Sequence, residues 1–210
     1  MDRLGIRLLA VLITVALAGG CATRPPERTD NLCEIFDHQP NWYDYARESE
    51  RRWGTPIAIQ MAFVNQESTF QSRVRPPRTR LLGFIPWRRP SSAYGYAQAQ
   101  DPVWSEYLAA EGNLFSRRTH MKYALDFIGW YNHNTHRRVG TAKSNAEHLY
   151  LAYHEGHGGY RSGRWRNKSG VQRSARRVTE HAARYSRQLE TCEHRFRCRR
   201  FWQIGPFCND

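Results

Sequence analysis

The chain has 210 residues, with 32 basic and 19 acidic side chains and a formal net charge of +13. That length suits one ordinary hydrophobic core and excludes a comfortable pair of domains. The charge attracts polyanions, and taken alone it points to nucleic acid.

The N-terminus redirects that reading. Arg3 and Arg7 form a basic start, and Leu8 to Ala18 is an uncharged, mainly apolar run. It is too short for the ~20 residues of a membrane-spanning helix and reads, with residues 1–20 as a whole, as a targeting signal. Ala18, Gly19 and Gly20 lead into Cys21. This resembles a bacterial lipoprotein signal, which implies that Cys21 is lipidated and becomes the first mature residue. The usual Leu three places before the cysteine is Ala18 here, with Leu17 one further back. The alternative is an ordinary secretory signal cut near Gly20. Ala22, rather than Asp, after Cys21 resembles the sorting pattern for the outer membrane. The expected location is therefore exported and lipid-anchored, at the outer membrane facing the periplasm. Residues 21–32 are polar, hold Pro25 and Pro26 and lack apolar periodicity, so they read as a tether. Export removes nucleic acid as a partner and leaves cell-wall peptidoglycan and lipid headgroups as the anionic partners for the basic chain.

Export also bears on Cys33, Cys192, Cys198 and Cys208. Four cysteines in an oxidising compartment suggest two disulfides, for which three connectivities exist. Cys33–Cys192 with Cys198–Cys208 is expected. The first staples the two ends of the globular part and the second closes a small loop in a basic tail. The spacings match no common tetrahedral zinc pattern.

Asn41 is placed to cap a helix from Trp42 to about Trp53, ended by Gly54. Thr55-Pro56 reads as an N-cap followed by proline at the first helical position, starting a helix to about Glu67. Ile57, Ile59, Met61, Ala62, Phe63 and Val64 make that helix apolar on most sides, so it belongs at the domain centre. Residues 70–93 hold Pro76, Pro77, Pro86 and Pro90 and cannot form a continuous helix. A loop of that length tends to be functional. Asp101-Pro102 restarts helix to about Ala110, with Gly112 as the stop. A longer helix, about Arg118 to His136, carries Tyr123, Phe127, Trp130 and Tyr131 at core spacing. Ser144 is expected to cap a helix to about Glu155, broken by Gly156, Gly158 and Gly159. Val171 to Leu189 is a last amphipathic helix. No alternating strand pattern and no internal repeat are visible. The reading is one mainly α-helical domain, residues 33–192, followed by a basic tail, 193–210.

Three segments carry chemistry. Glu67 ends the apolar run Ala62-Phe63-Val64-Asn65-Gln66-Glu67-Ser68. A carboxyl emerging from a low-dielectric wall is harder to ionise, which suits a general acid. The second segment is Ser92-Ala93-Tyr94-Gly95-Tyr96-Ala97-Gln98, and the third is Leu151-Ala152-Tyr153-His154-Glu155-Gly156. In this order the three resemble the motifs of the lysozyme-like lytic transglycosylases: a Glu-Ser, a Gly-Leu-Met-Gln and an Ala-Tyr-Asn-x-Gly. The resemblance covers about residues 42–192. It implies a lysozyme-like helical fold, no cofactor, and cleavage of the bond between N-acetylmuramic acid and N-acetylglucosamine with formation of a 1,6-anhydro sugar. It implies Glu67 as the single acid and base. Ser68, Gly95, Tyr96, Gln98, Tyr153 and His154 follow as substrate-binding positions. Tyr96 and Ala97 replace the family's Leu and Met, and His154 stands where the family has Asn.

A glycoside hydrolase ordinarily needs a second carboxylate. Asp101, Glu106 and Glu155 are the candidates, Asp101 otherwise a helix cap and the other two exposed helix acids. His148, His154 and His157 cluster in sequence, but the spacing is not His-Glu-x-x-His, so no metal is expected. The loop at 70–93 joins two motifs that must face the substrate. It is expected over the groove, with Trp87 stacking on a sugar; the alternative is a loop folded on its own apolar residues. Two rival functions remain: a hydrolytic muramidase on the same scaffold, and a non-catalytic wall-binding lipoprotein.

Overall fold

The computed structural model describes residues 24–197. The expected leader, Cys21 and the Cys198–Cys208 bridge lie outside the described residues. Within them the chain is mainly helical: α1 Leu32–His38, α2 Pro40–Trp53, α3 Ile57–Ser68, α4 Asp101–Glu111, α5 Met121–Val139, α6 Ala146–Arg161, α7 Ser169–Cys192 and α8 His194–Arg197. A 3-10 turn at Arg164–Asn167 precedes α7.

Helix α3 is the axis of the domain. Every residue from Ile57 to Asn65 is buried, because neighbours cover it on several sides: α7 along its length, and α2 and α5 beside it. Helix α7 turns Val171, Ala175, Val178, Ala182, Tyr185 and Leu189 inward, steps of three and four residues that form one helical stripe. Helix α6 packs between α5 and α7.

Several helix ends differ from expectation. Helix α2 starts at Pro40 with Gln39 as its cap, because proline's fixed φ and missing N–H suit the first turn; Asn41 lies inside the helix. Helix α3 begins one residue after Pro56, and no side chain caps it. Helix α5 starts at Met121, capped by His120. Asn145, not Ser144, caps α6 by accepting from the His148 N–H. Gly156 does not end α6: its backbone (φ 72°, ψ 160°) kinks the helix, which resumes to Arg161.

The domain also reaches beyond 33–192 at both ends. The last residues of the expected tether are fastened down: the Thr29 carbonyl accepts from Asn65 Nδ2 at 3.2 Å and from the Tyr185 hydroxyl. The Gln188 side chain grips the same segment, accepting from Leu32 N at 2.8 Å and donating to Asp30 O at 3.0 Å. The start of the tail is core, since Phe196 is buried between Phe36 and Tyr43. Cys33 is disulfide-bonded to Cys192, 159 positions away, joining α1 to the end of α7.

The 70–93 segment contains a strand pair that the sequence pattern did not suggest. β1 (Arg80–Leu81) and β2 (Ile85–Pro86) pair antiparallel around Leu82 and Gly83, both at positive φ. Two-residue strands are too short to alternate visibly. The hairpin does not fold on its own apolar residues, because Leu82, Phe84 and Trp87 stay exposed.

Candidate active site

The end of α3 is held by an unusual turn. Thr69 and Phe70 both have positive φ (49° and 58°), a conformation that costs non-glycine residues roughly 1–3 kcal/mol each. Local bonds and burial offset it: Thr69 N donates to Asn65 O and Gln71 N to Ser68 O, while Phe70 is fully buried and stacks on Trp42 at 5.8 Å. The turn fixes where Glu67 leaves the helix.

Burial pushes the Glu67 carboxyl up from 4.5 to about 7, and a hydrogen bond from the Tyr150 hydroxyl offsets only part of that rise. No neighbouring charge contributes to the shift. The low-dielectric wall is aromatic. Phe63, one turn before Glu67, meets Tyr150 and Tyr153 edge-on, with ring centroids 5.3 and 5.2 Å away. Tyr131 packs against Tyr153 at 5.0 Å. Tyr150 and Tyr153 are themselves harder to ionise, through burial first and then the charge of Glu67. The Gln66 side chain, which opposes part of the Tyr150 shift, accepts from Arg177 Nε at 3.1 Å.

Tyr150 is absent from the sequence reading. The motif ends at Tyr153, yet the residue three places earlier, on the same face of α6, turns its hydroxyl toward the acid and shifts its pKa. The i, i+3 spacing on a helix is the signal that could have found it. Tyr153 makes a different bond, donating to Ala97 O at 2.5 Å. The three motifs thus meet: the first touches the third through Glu67 and Tyr150, and the third touches the second through Tyr153 and Ala97.

The second motif is a tight turn whose residues serve the turn itself. Gly95 has φ 79°, and a Cβ there would lie 2.1 Å from the Arg118 carbonyl oxygen. The glycine expected at a substrate-binding position is therefore required by a close approach to backbone. Tyr96 is 1% exposed and packs edge-on against Trp42, so it is core and not a sugar contact. Gln98 Nε2 donates to Gly95 O at 2.8 Å and Val74 O at 3.0 Å, which commits its amide nitrogen to the turn. Ser68 is likewise turned away: it is buried, and its Oγ donates to Val64 O at 3.0 Å, one helical turn back.

The other carboxylates are engaged elsewhere. Asp101 pairs with Arg118 at 2.7 Å. Glu155, expected to be exposed, is buried. Its carboxylate accepts from Arg164 Nε at 2.7 Å and Lys168 Nζ at 2.9 Å, with His154 Nδ1 at 3.2 Å. Burial alone would raise its pKa, but the bonds from Lys168, Arg164 and His154 outweigh burial and hold it near 2. This cluster straps the 3-10 turn and the start of α7 to the kink at Gly156. Glu106 is exposed and lines a cleft of about 570 Å³ with Val103, Trp130, Tyr131, Arg138 and His157. Tyr131 is common to this cleft and the aromatic wall. The histidines diverge: His148 faces Tyr160 at 2.6 Å, His154 faces Glu155, and His157 stacks on Tyr131 with Thr135 at 2.9 Å. Among the described residues no group of three or more metal-ligating side chains forms.

The family model of the transglycosylase SLT domain matches residues 9–192. The chain belongs to the transglycosylase SLT domain family. No curated protein and no solved structure matches it. Membership in the transglycosylase SLT family identifies a peptidoglycan-degrading type of enzyme with a mainly α-helical, lysozyme-like domain, as the ordered motifs implied. The match covers all three motif segments of this transglycosylase domain, and Glu67 lies at the point where they converge.

Proposed function

We propose that the protein is a peptidoglycan lytic transglycosylase in which Glu67 is the single acid and base. The carrying observation is a carboxyl set in an aromatic wall at the meeting point of three motif segments, its pKa near 7 and no second charge acting on it. Such a group is protonated often enough near neutrality to donate and ionised readily enough to accept. Glu67 gives its proton to the bridging oxygen as the bond to the N-acetylmuramic acid anomeric carbon breaks and positive charge develops on the ring. The resulting carboxylate, supported by the Tyr150 hydroxyl, takes the proton from the same sugar's 6-hydroxyl, whose oxygen attacks the anomeric carbon. A 1,6-anhydro end forms, Glu67 regains its proton and no water is consumed. The cleft that shares Tyr131 with the aromatic wall offers room for a saccharide chain beside this centre.

A hydrolytic muramidase needs a second carboxylate near the acid. Asp101 and Glu155 are held by cations and no carboxylate acts on Glu67, which favours the single-acid route; Glu106, exposed in the neighbouring cleft, is the acid that a hydrolytic route would draw on. Mass spectrometry of muropeptides from purified sacculi decides between them: anhydro ends are expected, and reducing ends one water heavier would establish hydrolysis instead. No release at all, from protein that sediments with sacculi, would leave a wall-binding lipoprotein. The same reading keeps the chain exported and anchored at Cys21, so the intact protein should weigh as a lipid-modified chain beginning there; an unmodified start would refute the anchor.

Replacing Tyr150 by Phe is expected to lower turnover roughly tenfold, the worth of a hydrogen bond to a charged acceptor. The bond holds the ionised form of Glu67. Its loss raises the carboxyl pKa further, so the decline of activity on the alkaline side moves to higher pH. A pH–rate profile that falls in height without moving would show that Tyr150 is merely structural.

A further inference from the structure

The hairpin in the 70–93 segment has a composition that catalysis does not explain. The seven residues from Leu81 to Trp87 include no polar side chain, and all are exposed. Leu82 is 76% exposed and Phe84 72%. The turn is held open to solvent by backbone bonds at its base, Thr79 N to Arg88 O and Trp87 N to Thr79 O. A second exposed apolar pair, Leu114 (97%) and Phe115 (71%), lies in the loop between α4 and α5. Contiguous exposed apolar side chains of this size mark an interaction surface.

Both loops spring from one joint. Gly95 N donates to Val74 O, and Tyr96 N to Arg118 O. The Arg118 guanidinium bonds the carbonyls of Ser92 and Ala99. Arg75 and Arg118 both lie over the Tyr94 ring, at 4.0 and 5.6 Å. The base of the hairpin and the end of the second loop are therefore fixed to the same backbone. Charge is equally one-sided. Between Glu67 and Asp101 there is no acidic residue, while Arg73, Arg75, Arg78, Arg80, Arg88 and Arg89 fall in that interval. Among the described residues no carboxylate pairs with any of the six.

We propose that the hairpin, together with the Leu114–Phe115 loop, is an interfacial anchor for an anionic lipid bilayer. Apolar tip residues enter the headgroup boundary and the arginines at the hairpin base meet lipid phosphates, a division of labour that membrane-surface elements share. No helix among the described residues is long and apolar enough to cross a membrane, so the contact is with one leaflet's surface. A saccharide platform fits less well. Phe84 and Trp87 offer aromatic faces, but sugars also need polar side chains to fix their hydroxyls, and apart from the Trp87 indole N–H the run Leu81 to Trp87 has none. The proposal stands apart from the chemistry of Glu67 and does not depend on it.

The test places an environment-sensitive fluorescent amino acid at position 82 of the full chain, so that the hairpin's own surroundings are read whatever else binds the vesicle. With phosphatidylglycerol vesicles the emission shifts to the blue and is quenched by lipids brominated in the acyl chains. With pure phosphatidylcholine the apparent affinity falls by roughly tenfold or more, as surface electrostatics require. A second variant, Phe84→Ser with Trp87→Ser, loses the shift but keeps its unfolding temperature, because these side chains contact solvent. A probe that stays aqueous on vesicle-bound protein overturns the proposal. So does a blue shift produced by purified glycan strands and not by vesicles, which would make the hairpin a sugar platform, or an equal response to neutral and anionic lipid.

Discussion

Glu67→Gln should abolish release of muropeptides, by roughly 10³–10⁴-fold, while leaving the fold intact. A positioned general acid typically supplies 10²–10⁴, and here one carboxyl serves both proton transfers, so the upper part of that range applies. The variant keeps the shape of the side chain and an oxygen that accepts from Tyr150, so no packing is lost. It also carries a stability signature. The folded-state pKa of Glu67 is raised to about 7 from 4.5, so folding favours the protonated form. Below pH 4.5 the group costs nothing. As pH rises from 4.5 to 7 the unfolded chain gives up this proton first, and stability falls, levelling off above 7 at a cost on the order of 3 kcal/mol. Glutamine has no proton to lose. The variant should therefore match the wild type in denaturant titrations at pH 4 and exceed it at pH 8. An inactive variant without that gain at pH 8 would mean that the carboxyl is not desolvated in the folded protein. A fully active one would remove Glu67 from the mechanism.

Replacing Cys33 and Cys192 together by serine should cost about 5 kcal/mol, the chain-entropy value for a loop of this length. For a domain of this size that lowers the unfolding temperature by roughly 10–20 °C, measurable by calorimetry. The bridge joins α1 to the C-terminal end of α7. Without it, that junction rests chiefly on Gln188 between Leu32 and Asp30, the bonds to the Thr29 carbonyl, and the packing of Phe36 against Phe196. A shift under 2 °C would show that these contacts hold the ends unaided. The effect should be on stability and not on turnover, since neither cysteine lies near Glu67 in the bonded network.

The two effects are separable in practice. The first changes activity at any temperature and stability only above pH 4.5. The second changes stability at every pH. A preparation that loses both properties after either substitution would point to unfolding and not to chemistry.

The amino-acid sequence by itself determined the helical class, the central place of α3 and the carboxyl at its end, and it placed cysteines at both ends of the core while leaving three pairings open. These rest on local patterns: an apolar run too broad for a surface helix, a carboxyl closing it, and cysteines flanking the core. What only the tertiary structure decided is which polar groups turn toward Glu67 and which are used up. Ser68, Tyr96 and Gln98 occupy motif positions, yet backbone carbonyls and the core claim them. Glu155 reads as an exposed helix acid, yet the kink at Gly156 brings Arg164 and Lys168 back over it. Tyr150 carries no motif, yet one helical turn places its hydroxyl on the acid. The physical reason is common to all of these. A residue's type fixes what bonds it can make, but which partner it meets depends on segments distant along the chain, packed together in three dimensions.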